Sequence, residues 1–507
     1  MNEFKAGIII NYASITLRLA SSFFMTPFIL SKLGVDEYSL FVLSNGVITW
    51  LALTDLGLGD TVKKYIITYH SRGELEKQKY FLGQILVLFA VLGLITLIVG
   101  LLCYSRLNVF FPALNEDQLS ILRILYLLTL SELVLSFPLR PLVKISEAYL
   151  KFLIPGVISL VASLLSLVLS ILLLTLGYKA IALTVLSIVI SVFSSAIGLV
   201  YSFKYLGIKV KFSKPDFSLY KEVFSFSFWV LINQLMNMFY WQAGTPVVAR
   251  LCGASDVPVF SMGISIVSYF MTATTAISTV IAPKIMSQVA RGADSSEITQ
   301  SMIRSGRIQL IPCAIFLLTF AIIGKDFLAL WVGQSLGSGV ETIWLGAMCI
   351  LVPLTIPMTQ LVGPSILQAM NIHKGRAVIL FYSSILCIIS GYIFTYLMGP
   401  IGMFIGTALS LTVGQIVLLN LYYVRMARLN MLRFWKETFK PVLLPSFMLL
   451  ALGLFLHTEF LVQGWTSFVI FTMVYVAISI PTMFFLYLRK DERETLIRPI
   501  KHYFKSV

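Results

Sequence analysis

The chain has 507 residues, of which 58% are hydrophobic and only 12% charged, and its formal net charge is +15. Soluble domains carry about 25% charged residues, so this composition excludes a water-soluble globular enzyme and makes lipid the solvent. The positive excess reads as basic loops facing anionic lipid, not as a nucleic-acid surface.

Apolar runs of roughly twenty residues, enough to cross a hydrocarbon core, recur throughout, and about fourteen spans are expected. Spans 1 and 2 cover 8–30 and 38–57. The first carries Arg18, and with no small-residue cleavage site after a short apolar core it is expected to stay as a resident span. Asp55 and Asp60 mark the inner end of the second, before a loop at 58–79. Spans 3 to 6 cover 80–104, 118–138, 152–176 and 180–202. The fourth holds Arg123 and Glu132, whose separation of nine residues points them to nearly opposite helix faces.

A basic linker, 204–222, leads to span 7 at 223–250. This span is the polar one, with Asn233, Gln234, Asn237, Tyr240, Trp241, Gln242 and, at its outer end, Arg250. Amides beside aromatics suit a sugar, and equally suit hydrogen bonding between helices. After a span at 258–283, a loop at 284–307 and a span at 308–324 comes 341–369. There Pro353, Pro357, Gly363 and Pro364 predict a bent helix, with Gln360 at the bend. The last four spans are 377–398, 401–424, 441–456 and 464–488.

With a cytoplasmic N-terminus, about 31 of the 38 basic residues fall on the cytoplasmic side, the positive-inside pattern. Both termini are therefore expected in the cytoplasm. The segments "TPFILSKLGVDEYSLF" (26–41) and "TPVVARLCGASDVPVF" (245–260) align without a gap, with Gly eight residues after Thr in each. An even number of spans separates them, so the copies share an orientation. A parallel repeat about an axis normal to the membrane is one of the symmetries of secondary transporters. The expected organisation is an all-α polytopic membrane protein. An N-lobe at 1–203 and a C-lobe at 223–424 hold six helices each, followed by a terminal helix pair at 425–488 and a basic tail at 489–507.

Charges within spans carry information because each costs about 2.5–3.5 kcal/mol on insertion scales. Arg18, Arg123 and Arg250 are candidates for lining an anion-attracting cavity, since guanidinium matches phosphate geometry. The alternatives are an Arg18–Glu132 pair locking two helices and an Arg250 that snorkels to the interface. Asn233, Asn237, Trp241, Gln242 and Gln360 complete the candidate substrate-binding set. The five cysteines form no C-x-x-C pair, the four histidines suggest no metal site, and no P-loop pattern appears. No cofactor, no metal, no nucleic acid and no enzymatic activity are expected.

"LALTDLGLGDTVKKYI" (51–66) resembles the D-L-G turn of polysaccharide-export flippases, and "LGVDEYSLFVL" and "CGASDVPVFSMG" resemble their two Gly-turn-aromatic corners. With its helix count, the chain is similar to the Wzx-type O-antigen flippases of the multidrug/oligosaccharidyl-lipid/polysaccharide exporter superfamily. The resemblance implies two lobes around a central cavity. It also implies movement of an undecaprenyl-diphosphate-linked oligosaccharide to the outer leaflet of the bacterial inner membrane. Arg18 is the position matching a cavity-facing basic residue of the first helix. Implied partners are membrane lipid, a proton or sodium ion for coupling, and the polysaccharide polymerase and chain-length machinery. In span 7, where many relatives carry an acidic residue, this chain reads Trp241-Gln242-Ala243-Gly244, which leaves Glu132, with Asp55, as the ion-coupling candidates. A multidrug and toxin extrusion-type exporter is the alternative, and a membrane polysaccharide polymerase or ligase a more distant one.

Overall fold

The computed structural model describes residues 3–149, 151, 153–460 and 462–494, and among them every regular element is a helix. Among the described residues, eleven helices are long and apolar enough to cross a membrane. The other three of the expected spans fall on the two arms of the first helix and on a more polar helix at Phe217–Trp241. By contact the chain divides into two units, Met1–Pro258 and Val259–Val507.

In the first unit α1 (Glu3–Leu51) is two helical arms joined at Gly34. A turn at Ala52–Asp55 leads to α2 (Leu58–Ser71), then α3 (Leu75–Ser105), a short α4 (Leu107–Phe110), α5 (Glu116–Ser136) and α6 (Arg140–Ala148). Next come α7 (Leu153–Thr175), α8 (Ala180–Val200), α9 (Phe217–Trp241) and α10 (Gly244–Leu251). The two corners read as a repeat share one backbone conformation. Gly34 sits at φ 79°, ψ 169° and Gly253 at φ 97°, ψ −178°, a region open essentially to glycine alone.

Residues 58–71, expected as loop, are helical. Leu58, Val62 and Ile66 recur every four residues and are fully buried, so the segment is an amphipathic helix whose lysines face outward. α9 packs on it: Thr61 and Ser227 hydroxyls lie 2.7 Å apart, and Trp50 stacks on Phe239 at 5.5 Å. Tyr65 donates to Glu222 Oε1 at 2.7 Å. Burial, with that carboxylate, pushes the phenol well above its ordinary value, so it stays a donor. These contacts place α9 with the first unit.

The basic linker is strapped down rather than free. Gln84 of α3 donates to the Ser213 and Lys214 carbonyls and accepts from the Asp216 N–H and the Tyr220 hydroxyl. The Lys211 N–H donates to the Lys79 carbonyl at 3.1 Å. Gly83 permits this approach, because a Cβ there would stand 2.2 Å from the Lys211 carbonyl oxygen.

The second unit holds α11 (Val257–Ala290, whose first two residues belong to the first unit), α12 (Ser295–Leu336), α13 (Gly339–Thr359), α14 (Gly363–Ala369) and α15 (His373–Met398). They are followed by α16 (Pro400–Leu411), a π-helical stretch at Thr412–Leu418, α17 (Leu419–Arg425), α18 (Met431–Thr438), α19 (Leu443–Glu459) and α20 (Trp465–Thr482). The bend expected near Gln360 falls between α13 and α14. α12 starts well before the expected span at 308, because Asp294 caps it by accepting from the Glu297 N–H at 2.7 Å.

Near that end of α12, Arg307 is almost wholly buried. Its Nε donates to Glu492 Oε1 and Oε2 at 2.9 and 3.0 Å, and its Nη1 to the Glu437 carbonyl at 2.7 Å. Its Nη2 donates to the Tyr487 carbonyl, and the guanidinium lies 4.3 Å from the Tyr487 ring centre. One cation thus ties α12 to α18 and to the segment after α20.

Candidate functional site

Serine is nearly neutral in hydropathy, so it passes unnoticed in an apolar span. In α7 it is not scattered. Ser159, Ser163, Ser166 and Ser170 are spaced four, three and four apart, a row on one helix face about 16 Å long. That face borders a cavity of about 580 Å³ within the first unit, between α7, α8 and the first arm of α1. Nine serines line it, with Ser21 and Ser22 from α1 and Ser194 and Ser195 from α8.

Among the described residues, Arg18 is the single charged one in the lining. It is exposed, and among the described residues it makes no hydrogen bond or ion pair. The expected alternative, an Arg18–Glu132 lock, is not among the ion pairs of the described residues. The Ser21 hydroxyl is buried without a hydrogen-bond partner. Ser163 donates to the Ser159 carbonyl at 2.8 Å. The α1–α7 contact behind the cavity is fixed by Ser14, which donates to the Gly156 carbonyl at 3.1 Å. An unpaired guanidinium among hydroxyls inside spanning helices is costly unless an anion or water meets it.

The other candidates are placed differently. Arg123 and Glu132 are half-buried on α5, and neither lines this cavity. Asp55 works at its turn: Oδ1 accepts from the Gly57 N–H at 2.7 Å, and Oδ2 lies 3.4 Å from Arg140 Nη1. Leu56 and Gly57 are both left-handed there, which accounts for the D-L-G pattern. Arg250 spends its Nη1 on the Val109 and Phe110 carbonyls, each at 2.8 Å, at the end of α4.

Asn233, Asn237 and Gln242 are exposed on α9 and at its C-cap, and Trp241 is half-buried beside Tyr240. Gln360 is buried and donates to Asn420 Oδ1 at 3.1 Å, an oxygen that also accepts from Trp435 Nε1 at 3.2 Å. That network holds the bend of the α13–α14 pair. Among the described residues no cluster of His, Cys, Asp or Glu could hold a metal ion.

Comparison with known proteins gives four findings. Residues 6–288 match the family described as "Polysaccharide biosynthesis protein". The "Uncharacterized membrane protein EpsK" of Bacillus subtilis (strain 168) is 24% identical over 358 residues, covering 69% of this chain and 70% of that protein. The fold is that of a structure titled "Lipid II flippase MurJ, inward closed conformation", with TM-score 0.72, 14% identity, 97% of this chain and 99% of that one. It is also similar to an inward-facing multidrug resistance MATE family transporter of the MOP superfamily, with TM-score 0.62, 14% identity, 84% of this chain and 99% of that one.

Proposed function

We propose that this chain, which belongs to the polysaccharide biosynthesis protein family, moves a polyprenyl-diphosphate-linked oligosaccharide from the inner to the outer leaflet of the plasma membrane. The substrate is an O-antigen unit or a related surface glycan. The carrying observation is Arg18, unpaired among the described residues in a cavity lined by nine serines within spanning helices. The diphosphate is the part of such a substrate that hydrocarbon rejects most strongly, and guanidinium meets it in bidentate fashion. Serine hydroxyls, donors and acceptors at once, meet sugar hydroxyls without adding charge.

The orientation rests on the positive-inside pattern, with both termini cytoplasmic. Alternating access moves the head group while the polyprenyl tail stays in lipid. A proton or sodium ion supplies the drive, with Glu132 as its site, because Asp55 is already engaged at its turn. The drug-exporter reading draws on the MATE fold, which covers 84% of this chain. The MurJ fold covers 97%, which supports the flippase reading.

The test is deletion of the gene in its host, with mass spectrometry of polyprenyl-linked glycans. A complete repeat unit is expected to accumulate while surface glycan disappears. Complementation with Arg18→Ala should fail at normal expression, and Arg18→Lys should restore part of the activity. Normal surface glycan together with altered drug sensitivity in the deletion strain would replace this reading with the exporter.

A further inference from the structure

α7 and α8 bury few side chains completely for spanning helices. α7 buries only Gly156 and Leu174 of its described residues, and α8 only Ala180, Leu183 and Thr184, whereas α12 has a buried residue on nearly every turn. Packing does not explain their exposed faces, and one of those faces is the wall of the serine cavity. On the other side of the same pair lies a second hollow of about 360 Å³. Val157, Val161, Leu165, Val189 and Phe193 give it an apolar lining, and among the described residues Ser194 is its single polar lining residue. Ile158, Ala162, Ile190 and Ser194 line both hollows, so the two stand back to back across one helix–helix seam. Ala162 and Ser194 are its small residues. One side thus offers a guanidinium and hydroxyls, and the other offers hydrocarbon.

A ligand that fills both sides has an anionic head and an apolar tail. The groove is single, bounded by one helix on each flank, and so fits one chain rather than the two of a phospholipid. Its branched walls of valine and isoleucine match a methyl-branched chain. We propose that the polar cavity and the apolar groove form one composite lipid site in the first unit. The phosphate of a polyprenyl carrier meets Arg18, and the first isoprene units cross the seam at Ala162 and Ser194 into the groove. This rests on the flippase reading and specifies which part of the substrate each helix face holds. It also makes α7 and α8 determinants of carrier chain recognition, separate from sugar recognition.

The experiment is native mass spectrometry of the purified full-length protein in detergent. The probes are undecaprenyl phosphate, geranyl phosphate, whose short chain ends near the seam, and phosphatidylglycerol. Val189→Trp and Leu165→Trp fill the groove from exposed positions outside the packed interior, and both are expected to fold. Each should weaken undecaprenyl phosphate binding about tenfold, near 1.4 kcal/mol, and leave geranyl phosphate within about twofold. Arg18→Gln should weaken both phosphates. Unchanged undecaprenyl phosphate binding in both tryptophan variants, with Arg18→Gln still weak, would overturn the groove and spare the head-group reading. No loss in Arg18→Gln would overturn the head-group reading, and the composite site with it. Displacement of undecaprenyl phosphate by equimolar phosphatidylglycerol would show a general lipid seat instead of a polyprenyl one.

Discussion

Replacing Arg307 by Met keeps the volume of the side chain and removes its charge. The cost follows from what remains. Glu492 is 2% exposed and loses the Nε–H donor that both its oxygens share, keeping the Arg489 N–H at 2.8 Å. The Glu437 and Tyr487 carbonyls lose a charged donor at the ends of α18 and of the π-helical turn after α20. Breaking a buried ion pair from one side costs about 3–5 kcal/mol, because the surviving charge is uncompensated. The double variant Arg307→Met/Glu492→Leu leaves no charge inside, so it should recover about half of that loss or more. Reversible unfolding in mixed detergent and sodium dodecyl sulfate, read by tryptophan fluorescence, gives all four corners of the double-mutant cycle. A coupling energy of about 2 kcal/mol or more is expected between two residues in such contact. A single-variant cost below about 1 kcal/mol, in the range of an exposed pair, or a double variant equal to the sum of its singles, would refute the reasoning.

Gly34→Ala and Gly253→Ala should each destabilise the protein by about 1–3 kcal/mol, the cost of a backbone region closed to side chains. Both positions have space for the added methyl, so strain alone is measured in the same titration. Gln84→Ala should release the strap, and trypsin should then cut at Lys209 or Lys211 several times faster than in the unaltered protein; equal cleavage rates would show that the linker is held by other contacts. Arg250→Met should lower stability by about 1.5–3 kcal/mol, the worth of hydrogen bonds from a charged donor, while glycan export continues. Loss of export in a stably folded Arg250→Met protein would return this residue to the substrate path.

The spans were readable because bilayer thickness imposes one length on every crossing, whatever the packing. The paired corners were readable through Thr26 and Thr245, Gly34 and Gly253, since a backbone turn open only to glycine leaves its mark in the residue itself. α2 was hidden because Lys63, Lys64 and His70 dominate its composition, although Leu58, Val62 and Ile66 already carry the helical period. Arg18 could be singled out by the cost of its charge, but its surroundings could not. The serine row acquires meaning only when α7 is known to face α1 and α8. Polar residues were the hardest to weigh, since an amide or guanidinium reads the same whether its partner is ligand or protein. For Gln360 that partner is Asn420, and for Arg250 the backbone at Val109 and Phe110, contacts made across 60 and about 140 residues.

The clasp at Arg307 also sets a schedule for making the protein. Its counter-charge lies 185 residues downstream, so at about 5–20 residues per second of synthesis the ribosome delivers Glu492 some 10–40 s after Arg307. During that interval α12 carries a cation with no interior partner, and the end of the helix has to remain wet or snorkelling. The second unit therefore closes last, when nearly the whole chain has been made. A nascent chain cut short within α20 is born with this defect, an unfinished interior of the kind that cellular proteases remove, so completeness of the chain is checked by its own electrostatics.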